Sequence, residues 1–385
     1  MIYFDNAATT LQKPPEVAEA VAHALTSFGG VGRGVHPASL AAGMAVYDAR
    51  ARVAELLGAP SAARVAFTLN VTMALNTAID GLLAPGEGAV TTAASHNSVL
   101  RPLFRARDER GCWVEVADIL PDASLDFASY ERALARGPKL VVATHASNLT
   151  GDVYDIARMA RMAHEAGALF VLDAAQSAGA MPVDMSALGV DVLCFTGHKS
   201  LFGPQGTGGL CVAESVDIPP FVEGGSGVHS YDERHPHFMP EALEAGTVNA
   251  HGLAGLAAGV SFLQEVGVEN VHAHLAQLAH AFEAGARSIP GVVVLGGYGG
   301  VDRSGIVALN VGEIDSALVA DRLAQEFDIC VRAGAHCTPL MHKALGTDEQ
   351  GAVRFSFSWF NTQEEVEQAV DALSQVAHEL SSEDA

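Results

Sequence analysis

Lys199 closes a run of strand-forming residues and opens a run of glycines. Val190, Val192, Leu193, Cys194 and Phe195 lead into Thr196-Gly197-His198-Lys199. Glycines follow at 203, 206, 208 and 209, and then a second apolar run, Leu210-Cys211-Val212. A lysine just past a buried strand and fenced by small residues loses hydration, which lowers the amine's pKa and frees the neutral nucleophile. Thr196 and His198 beside it supply a hydroxyl and an imidazole suited to an anion. Asp173 follows the apolar run Leu169-Phe170-Val171-Leu172 and suits a protonated ring nitrogen, Gln176 a phenolic oxygen, and His96 the face of an aromatic ring. Thr72, at a helix start, suits a phosphate. Singly, each has an ordinary structural reading. Together they are the parts of a pyridoxal 5′-phosphate site: a lysine that forms the imine, a pyridinium partner, a stacking group and a phosphate cradle.

These residues need a scaffold that brings strand ends together. Between 88 and 213, short apolar runs alternate with helical stretches. Leu140-Val141-Val142-Ala143 and the run ending at Asp173 read as buried strands, separated by an amphipathic helix over 156–166 closed by Gly167. Continuously apolar strands alternating with helices predict an α/β fold with a mostly parallel sheet covered on both faces. Such sheets bind ligands beyond the carboxyl ends of their strands, so His145, Asn148, Asp173, Gln176 and Lys199 should share one rim. Upstream, Pro14 and Pro15 open a helix, and Gly29, Gly30, Gly32 and Gly34 make a loop carrying Arg33 and His36. Leu40, Met44, Tyr47, Val53, Leu56 and Leu57 fall at helical spacing over 39–57. Val65-Ala66-Phe67 reads as a strand, and Asn70-Val71-Thr72 caps a helix over 73–83, whose N-terminus is an anion site.

Beyond Ala213 the pattern dissolves into a long loop reaching Gly246. Its His229, His235 and His237 lack carboxylate or thiol support and do not predict a metal site. A single Ala-rich helix over 252–288, strands over 292–295, 306–311 and 355–359, and a helix over 317–327 build a smaller α+β domain. Thr362 and Glu365 form a capping box for the last helix, and the acidic end, 379–385, should fray. We therefore expect a large domain over 15–255 and a small domain made of 1–14 and 256–385.

The chain's 385 residues carry 45 acidic against 22 basic side chains, a formal charge of −23. That balance excludes a nucleic-acid or anionic-membrane partner, since a phosphate surface needs a basic face. No apolar run reaches membrane-spanning length and the first residues do not read as a secretory signal, so the expected location is cytoplasmic. Five cysteines without a CxxC pair predict free thiols. Cys194, Cys211 and Cys330 sit in apolar runs as core residues. Cys337 instead lies in Arg332-Ala333-Gly334-Ala335-His336-Cys337-Thr338-Pro339, a polar loop whose basic neighbours favour a thiolate.

Six stretches carry a resemblance that runs nearly end to end: Tyr3 to Thr10, His145 to Asn148, Asp173 to Gln176, Thr196 to Lys199, Glu244-Ala245-Gly246-Thr247-Val248-Asn249, and Arg332 to Cys337. The chain resembles the class V aminotransferases of fold-type I, in the cysteine desulfurase and selenocysteine lyase branch. The resemblance implies that Lys199 is the Schiff-base lysine, with Asp173, Gln176 and His96 around the ring. It implies that Thr72, Thr196 and His198 hold the phosphate, with Asn148 beside the cofactor and substrate. Thr247 would reach the phosphate of a neighbouring subunit, which implies a homodimer with shared sites. Arg354 would grip the substrate carboxylate, with Arg332 and His36 among the substrate contacts.

Cys337 would attack the sulfur of L-cysteine, leaving a persulfide and L-alanine, while Lys199 and His96 move protons. The sulfur would pass to an acceptor protein: an iron–sulfur cluster assembly scaffold, a thiolation carrier or a selenium pathway. Two departures from the family pattern, Gly32 before Arg33 and Ala-His-Cys-Thr-Pro around the cysteine, leave the acceptor and the choice between L-cysteine and L-selenocysteine open. The competing readings are a selenocysteine lyase, another C–S lyase, an epimerase or an aminotransferase without a persulfide, and a non-catalytic sulfur-transfer scaffold. The last has no need of Lys199, Asp173 and Gln176. A flavin or nicotinamide enzyme is disfavoured because no G-x-G-x-x-G joins a strand to a helix.

Overall fold

The apolar runs anticipated as strands pair with one another because each has two faces to bury. The computed structural model describes residues 1–32, 34–297 and 303–383; Arg33 and the last two residues of the acidic tail lie outside the described residues. In chain order the strands are β1 (Ile2–Tyr3), β2 (Val65–Thr68), β3 (Gly88–Thr92), β4 (Trp113–Ala117), β5 (Leu140–Thr144), β6 (Leu169–Asp173) and β7 (Val192–Thr196). They continue as β8 (Gly208–Val212), β9 (Val292–Leu295), β10 (Ile306–Val311), β11 (Ile329–Cys330), β12 (Arg332–Gly334) and β13 (Ala352–Ser356). The large sheet has the order β2-β8-β7-β6-β5-β3-β4. Its strands are parallel except β8, which runs antiparallel to both neighbours.

Alternation along each strand divides the core in two. Val141, Ala143, Phe170, Leu172, Leu193 and Phe195 point to one side, while Leu140, Val142, Val171, Val192 and Cys194 point to the other, all fully buried. Helices Val71–Leu82 and Asn97–Arg110 cover the second face, and Pro37–Leu56, Ile156–Glu165 and Ala250–Val266 cover the first. Each Val, Leu or Phe among them contributes about 1.5–3 kcal/mol by leaving water, so the sheet is a rigid base for whatever its carboxyl edge carries.

The smaller antiparallel sheet has the order β12-β13-β10-β9. The N-terminus joins this half: β1 pairs parallel with β11, and Asp5 bridges to Ser356. The capping box is formed, with the Glu365 amide donating to the Thr362 hydroxyl at 3.2 Å and the Thr362 amide donating to the Glu365 carboxylate at 3.0 Å.

Several expectations are corrected. The single helix over 252–288 is two, Ala250–Val266 and Val268–Arg287, broken at Gly267, whose φ of +85° suits glycine. The first of them runs through residue 255. The strand placed at 355–359 is Ala352–Ser356; Ser356 and Ser358 are as buried as Phe355 and Phe357, so the Phe/Ser alternation does not separate two faces. In Pro37–Leu56 the inward stripe is Ala42, Val46, Ala49 and Val53, whereas Leu40, Met44 and Tyr47 face outward. The acidic end, expected to fray, continues as helix to Glu383.

Candidate active site

Three parallel strands deliver their ends to one place. Thr144 ends β5, Asp173 ends β6, and Lys199 follows Thr196 at the end of β7; all but Thr196 line a cavity of about 260 Å³. The turn after β7 is closed by its backbone. The Phe202 amide donates to the Lys199 carbonyl at 2.9 Å, and the Gly203 amide to the Gly197 carbonyl at 2.7 Å. Gly179, at φ +84°, packs under this turn, where a Cβ would overlap the Ser200 carbonyl. The lysine is thereby held at the cavity rather than released to solvent. Burial pulls its pKa down to about 8, against the attraction of Asp173 and with help from Arg354 and Arg332.

Asp173 is buried, and burial raises its carboxyl pKa despite hydrogen bonds from the Ala175 amide (3.0 Å) and the Thr144 hydroxyl. Gln176 donates to the Ala7 carbonyl at 3.1 Å. His96 caps the helix Asn97–Arg110, its Nδ1 accepting from the Ser98 amide at 3.0 Å. Burial, reinforced by Lys199, Arg332, Arg101 and Arg354, lowers the His96 pKa to about 4, so the ring is neutral at neutral pH. Ser98 also links His96 to Thr72, with its hydroxyl 2.9 Å from Nδ1 and 2.8 Å from the Thr72 hydroxyl. His198 lies 3.2 Å from the Thr9 hydroxyl, and burial followed by Lys199 and Lys13 holds it at about 4.

The wall opposite is built from the other half of the chain. Arg354 is buried, with one guanidinium nitrogen 2.8 Å from Asp5 and another donating to the Asn148 carbonyl at 2.9 Å. Arg332 stands directly across the β12–β13 ladder from Arg354, exposed at the cavity. His336 is buried, its Nε2 3.1 Å from the Arg332 carbonyl and its ring stacked on His342 at 5.9 Å. Burial and the nearby Arg354 push its pKa down to about 3. Cys337 is the exposed cysteine of the chain and lines the same cavity as Lys199. Two amides tie it in place: Asn148 Nδ2 donates to the His336 carbonyl at 2.7 Å, and the Asn97 amide to the Cys337 carbonyl at 2.8 Å.

Lys199, Asp173, Gln176, His96, Thr72, His198, Asn148, Arg354, Arg332 and Cys337 therefore meet in one cavity. Thr196 does not line it; it is buried just below, and its hydroxyl has no partner among the described residues. His36 and Thr247 lie elsewhere, together in a second cleft beside Arg50 and Glu244. The Glu244 motif also has a structural task, since its carboxylate takes both guanidinium nitrogens of Arg50 (2.6 and 2.9 Å) and the Phe67 amide. Reasoning from the sequence assigned no role to Asp5, Ala7, Thr144 or Ser98. Only the first two sat inside a quoted motif, and nothing in sequence order marks Thr144 or Ser98 as their neighbours in space. Among the described residues no group of His, Cys, Asp or Glu is arranged to hold a metal, and no helix is long and apolar enough to cross a membrane.

The donor set suits pyridoxal 5′-phosphate. The orphaned Thr196 hydroxyl and the amide end of helix Val71–Leu82, whose Val71 and Thr72 line the cavity, are fit for a phosphate. The buried Asp173 carboxylate is fit for a ring N–H, and the desolvated Lys199 for an imine.

The class V aminotransferase family model matches residues 2–369. A probable cysteine desulfurase of Methanothermobacter thermautotrophicus is 34% identical over 382 residues, covering 98% of this chain and 94% of its own. A cysteine desulfurase of Haloferax volcanii is 33% identical, covering 99% and 90%. Among solved structures, the apo cysteine desulfurase of Thermococcus onnurineus superposes with a TM-score of 0.92 at 34% identity, covering 98% of this chain and 94% of that one. The Escherichia coli cysteine desulfurase CsdA, in an S-sulfonic acid form, gives 0.86 at 29% identity, covering 98% and 94%. With its fold, its cavity and these relatives in agreement over nearly the whole length, the chain belongs to the class V aminotransferase family.

Proposed function

We propose that the chain is a pyridoxal phosphate-dependent cysteine desulfurase that converts L-cysteine to L-alanine and takes the sulfur onto Cys337. The observation that carries this reading is that Cys337, an exposed thiol of one half of the molecule, lines the same cavity as Lys199 of the other half. The names of the relatives support it. A lyase or aminotransferase would use the same floor of the cavity without a cysteine in its wall.

Lys199, Asp173, Gln176, His96, Thr72, Thr196 and His198 would hold the cofactor, with Asn148 at its edge. When bound, pyridoxal phosphate draws electrons away from the amino acid's α-carbon. Arg354 binds the substrate carboxylate, and Arg332, across the ladder, adds a second cation. With a pKa of about 8, Lys199 is about one-tenth neutral at pH 7, and its Nζ takes and returns the proton at the substrate α-carbon. His96, kept neutral, would face the cofactor ring, and its free ring nitrogen could accept a proton. The Cys337 thiolate attacks the substrate sulfur and forms an S–S bond as the C–S bond breaks. The bonding pair stays with the three-carbon fragment, which takes a proton and leaves as alanine.

The cofactor-binding part is 15–255, and 1–14 with 256–385 carry the cysteine loop; the pairing of β1 with β11 supports counting the N-terminus with the latter. His36 and Thr247, outside their own chain's cavity, are suited to complete the site of a second copy, which makes the enzyme a homodimer. Free thiols throughout the described residues suit the reducing cytoplasm.

The test is alanine and sulfide production from L-cysteine with a reductant, on wild type and Cys337→Ala together, with L-selenocysteine in parallel. Loss of cysteine turnover by two or more orders of magnitude in the variant is expected. Retained turnover, or turnover confined to selenocysteine, moves the enzyme to a lyase.

A further inference from the structure

Cys337 is a wall between two spaces. Inward lies the cavity of Lys199; outward lies an open groove of about 370 Å³ that shares Thr72, His96, Ser98 and Cys337 with it. The outer groove is floored by the first turns of helix Asn97–Arg110, with Arg101 and Arg105 one turn apart and both exposed. Arg105 reaches Asp80 at 3.7 Å, while Arg101 makes no ion pair among the described residues. Among the described residues no carboxylate lines the groove. In a chain with twice as many acidic as basic side chains, a thiol flanked by two arginines is a local reversal of sign.

Resting on the desulfurase reading, we infer that this groove docks an acceptor protein whose thiol is flanked by acidic residues. Taken as a whole the chain repels an acidic partner, but a partner presenting an acidic loop is steered to this basic edge beside Cys337. The transfer is balanced without further reagents. The acceptor thiolate attacks the outer sulfur of the Cys337 persulfide, a new S–S bond forms on the acceptor, and the old bond's electron pair returns to Cys337 as thiolate. The tether from the Asn97 amide to the Cys337 carbonyl (2.8 Å) keeps that sulfur at the rim of both spaces.

The experiment supplies the cofactor-loaded enzyme and L-cysteine with three peptides of equal length. Each carries one cysteine, flanked by acidic, neutral or basic residues, and sulfur gained by each is followed by mass spectrometry. Alanine release driven by dithiothreitol, a small uncharged acceptor, is measured alongside. The acidic peptide should gain sulfur roughly fivefold faster than the neutral one and the basic peptide slowest, with the ranking fading as salt rises. Arg101→Glu with Arg105→Glu should invert the order, each peptide rate being taken relative to the variant's own dithiothreitol-driven release because Arg101 also helps hold His96 neutral; Arg101→Ala, a milder change, should narrow it. Equal rates for the three peptides beside normal dithiothreitol-driven release would overturn the docking site alone. Absence of that release in wild type would overturn the desulfurase reading and the docking site with it.

Discussion

The Lys199 amine is held in a setting that disfavours its own charge. Burial brings its pKa from 10.5 down to about 8. The unfolded chain keeps that proton up to about pH 10.5, whereas the native protein releases it near 8. Between those values the unfolded state binds more protons, so stability rises with pH, by up to ~1.4 kcal/mol per pH unit. Below pH 8 both states are protonated and the full penalty is present. Urea unfolding of wild type and Lys199→Met, both stripped of cofactor, at pH 8, 9 and 10 checks this. The stability of wild type relative to the variant should climb across the series, and parallel curves would refute the desolvated lysine. Lysine at the end of a buried strand was legible as a candidate from sequence because the apolar run and the glycines around it are local. Its tuning was not, because Arg354 and Arg332, which push the same way as burial, lie more than 130 positions along the chain.

The cysteine loop shows how an element holds a reactive atom still. His336 and Cys337 both adopt left-handed backbone, at φ 49° and 58°, which costs non-glycine residues about 1 kcal/mol each. Asn148 and the Asn97 amide offset that cost from the other half of the molecule. Asn97→Pro separates tether from fold: position 97 is the first of its helix, where proline is tolerated, and His96 at ψ 158° suits a residue before proline. The N–H to Cys337 is lost, and the ring's Cδ, standing where the amide hydrogen was, also pushes the Cys337 carbonyl away. Alkylation of Cys337 by iodoacetamide should quicken at least roughly fivefold, the worth of one hydrogen bond, with a modest fall in the thermal midpoint because the displaced carbonyl lies in the loop and not in the sheet; an unaltered alkylation rate would mean the tether does not restrain the thiol. The same scale explains what the sequence concealed. Strands β5, β6 and β7 were readable because burial on both faces makes them apolar almost throughout; β4, half-buried with Glu115 at its centre, was not. The Ala-rich stretch hid its break because Gly267 resembles the tolerated glycines at 252, 255 and 259 within the first helix. On Pro37–Leu56 the inward face is built from small residues, alanine and valine, so the larger outward side chains misled.

Those outward side chains matter for the whole molecule. Leu40, Met44, Tyr47, Leu69, Val222 and Phe238 are large apolar residues left exposed on a single chain, more than solubility favours and of the kind that interfaces cover. His36 and Thr247, expected at the active site by resemblance, line one cleft away from Lys199. The proposed second copy of the chain would account for both facts: it would cover apolar surface and bring Thr247 of each chain to the phosphate end of the other's cavity. Shared sites are testable by complementation. A Lys199→Ala homodimer lacks the lysine in both sites, and a Thr247→Glu homodimer places a negative charge against the phosphate in both. In the mixed dimer one site pairs an intact Lys199 with an intact Thr247, and the other carries both defects. Refolding the two variants together at equal amounts should restore about a quarter of wild-type alanine release, since half the dimers are mixed and half their sites are whole. Each variant refolded alone should stay near its own low rate. If the mixture gives only the average of the two, Thr247 acts within its own chain or not at all, and the dimer, if it forms, does not share its sites.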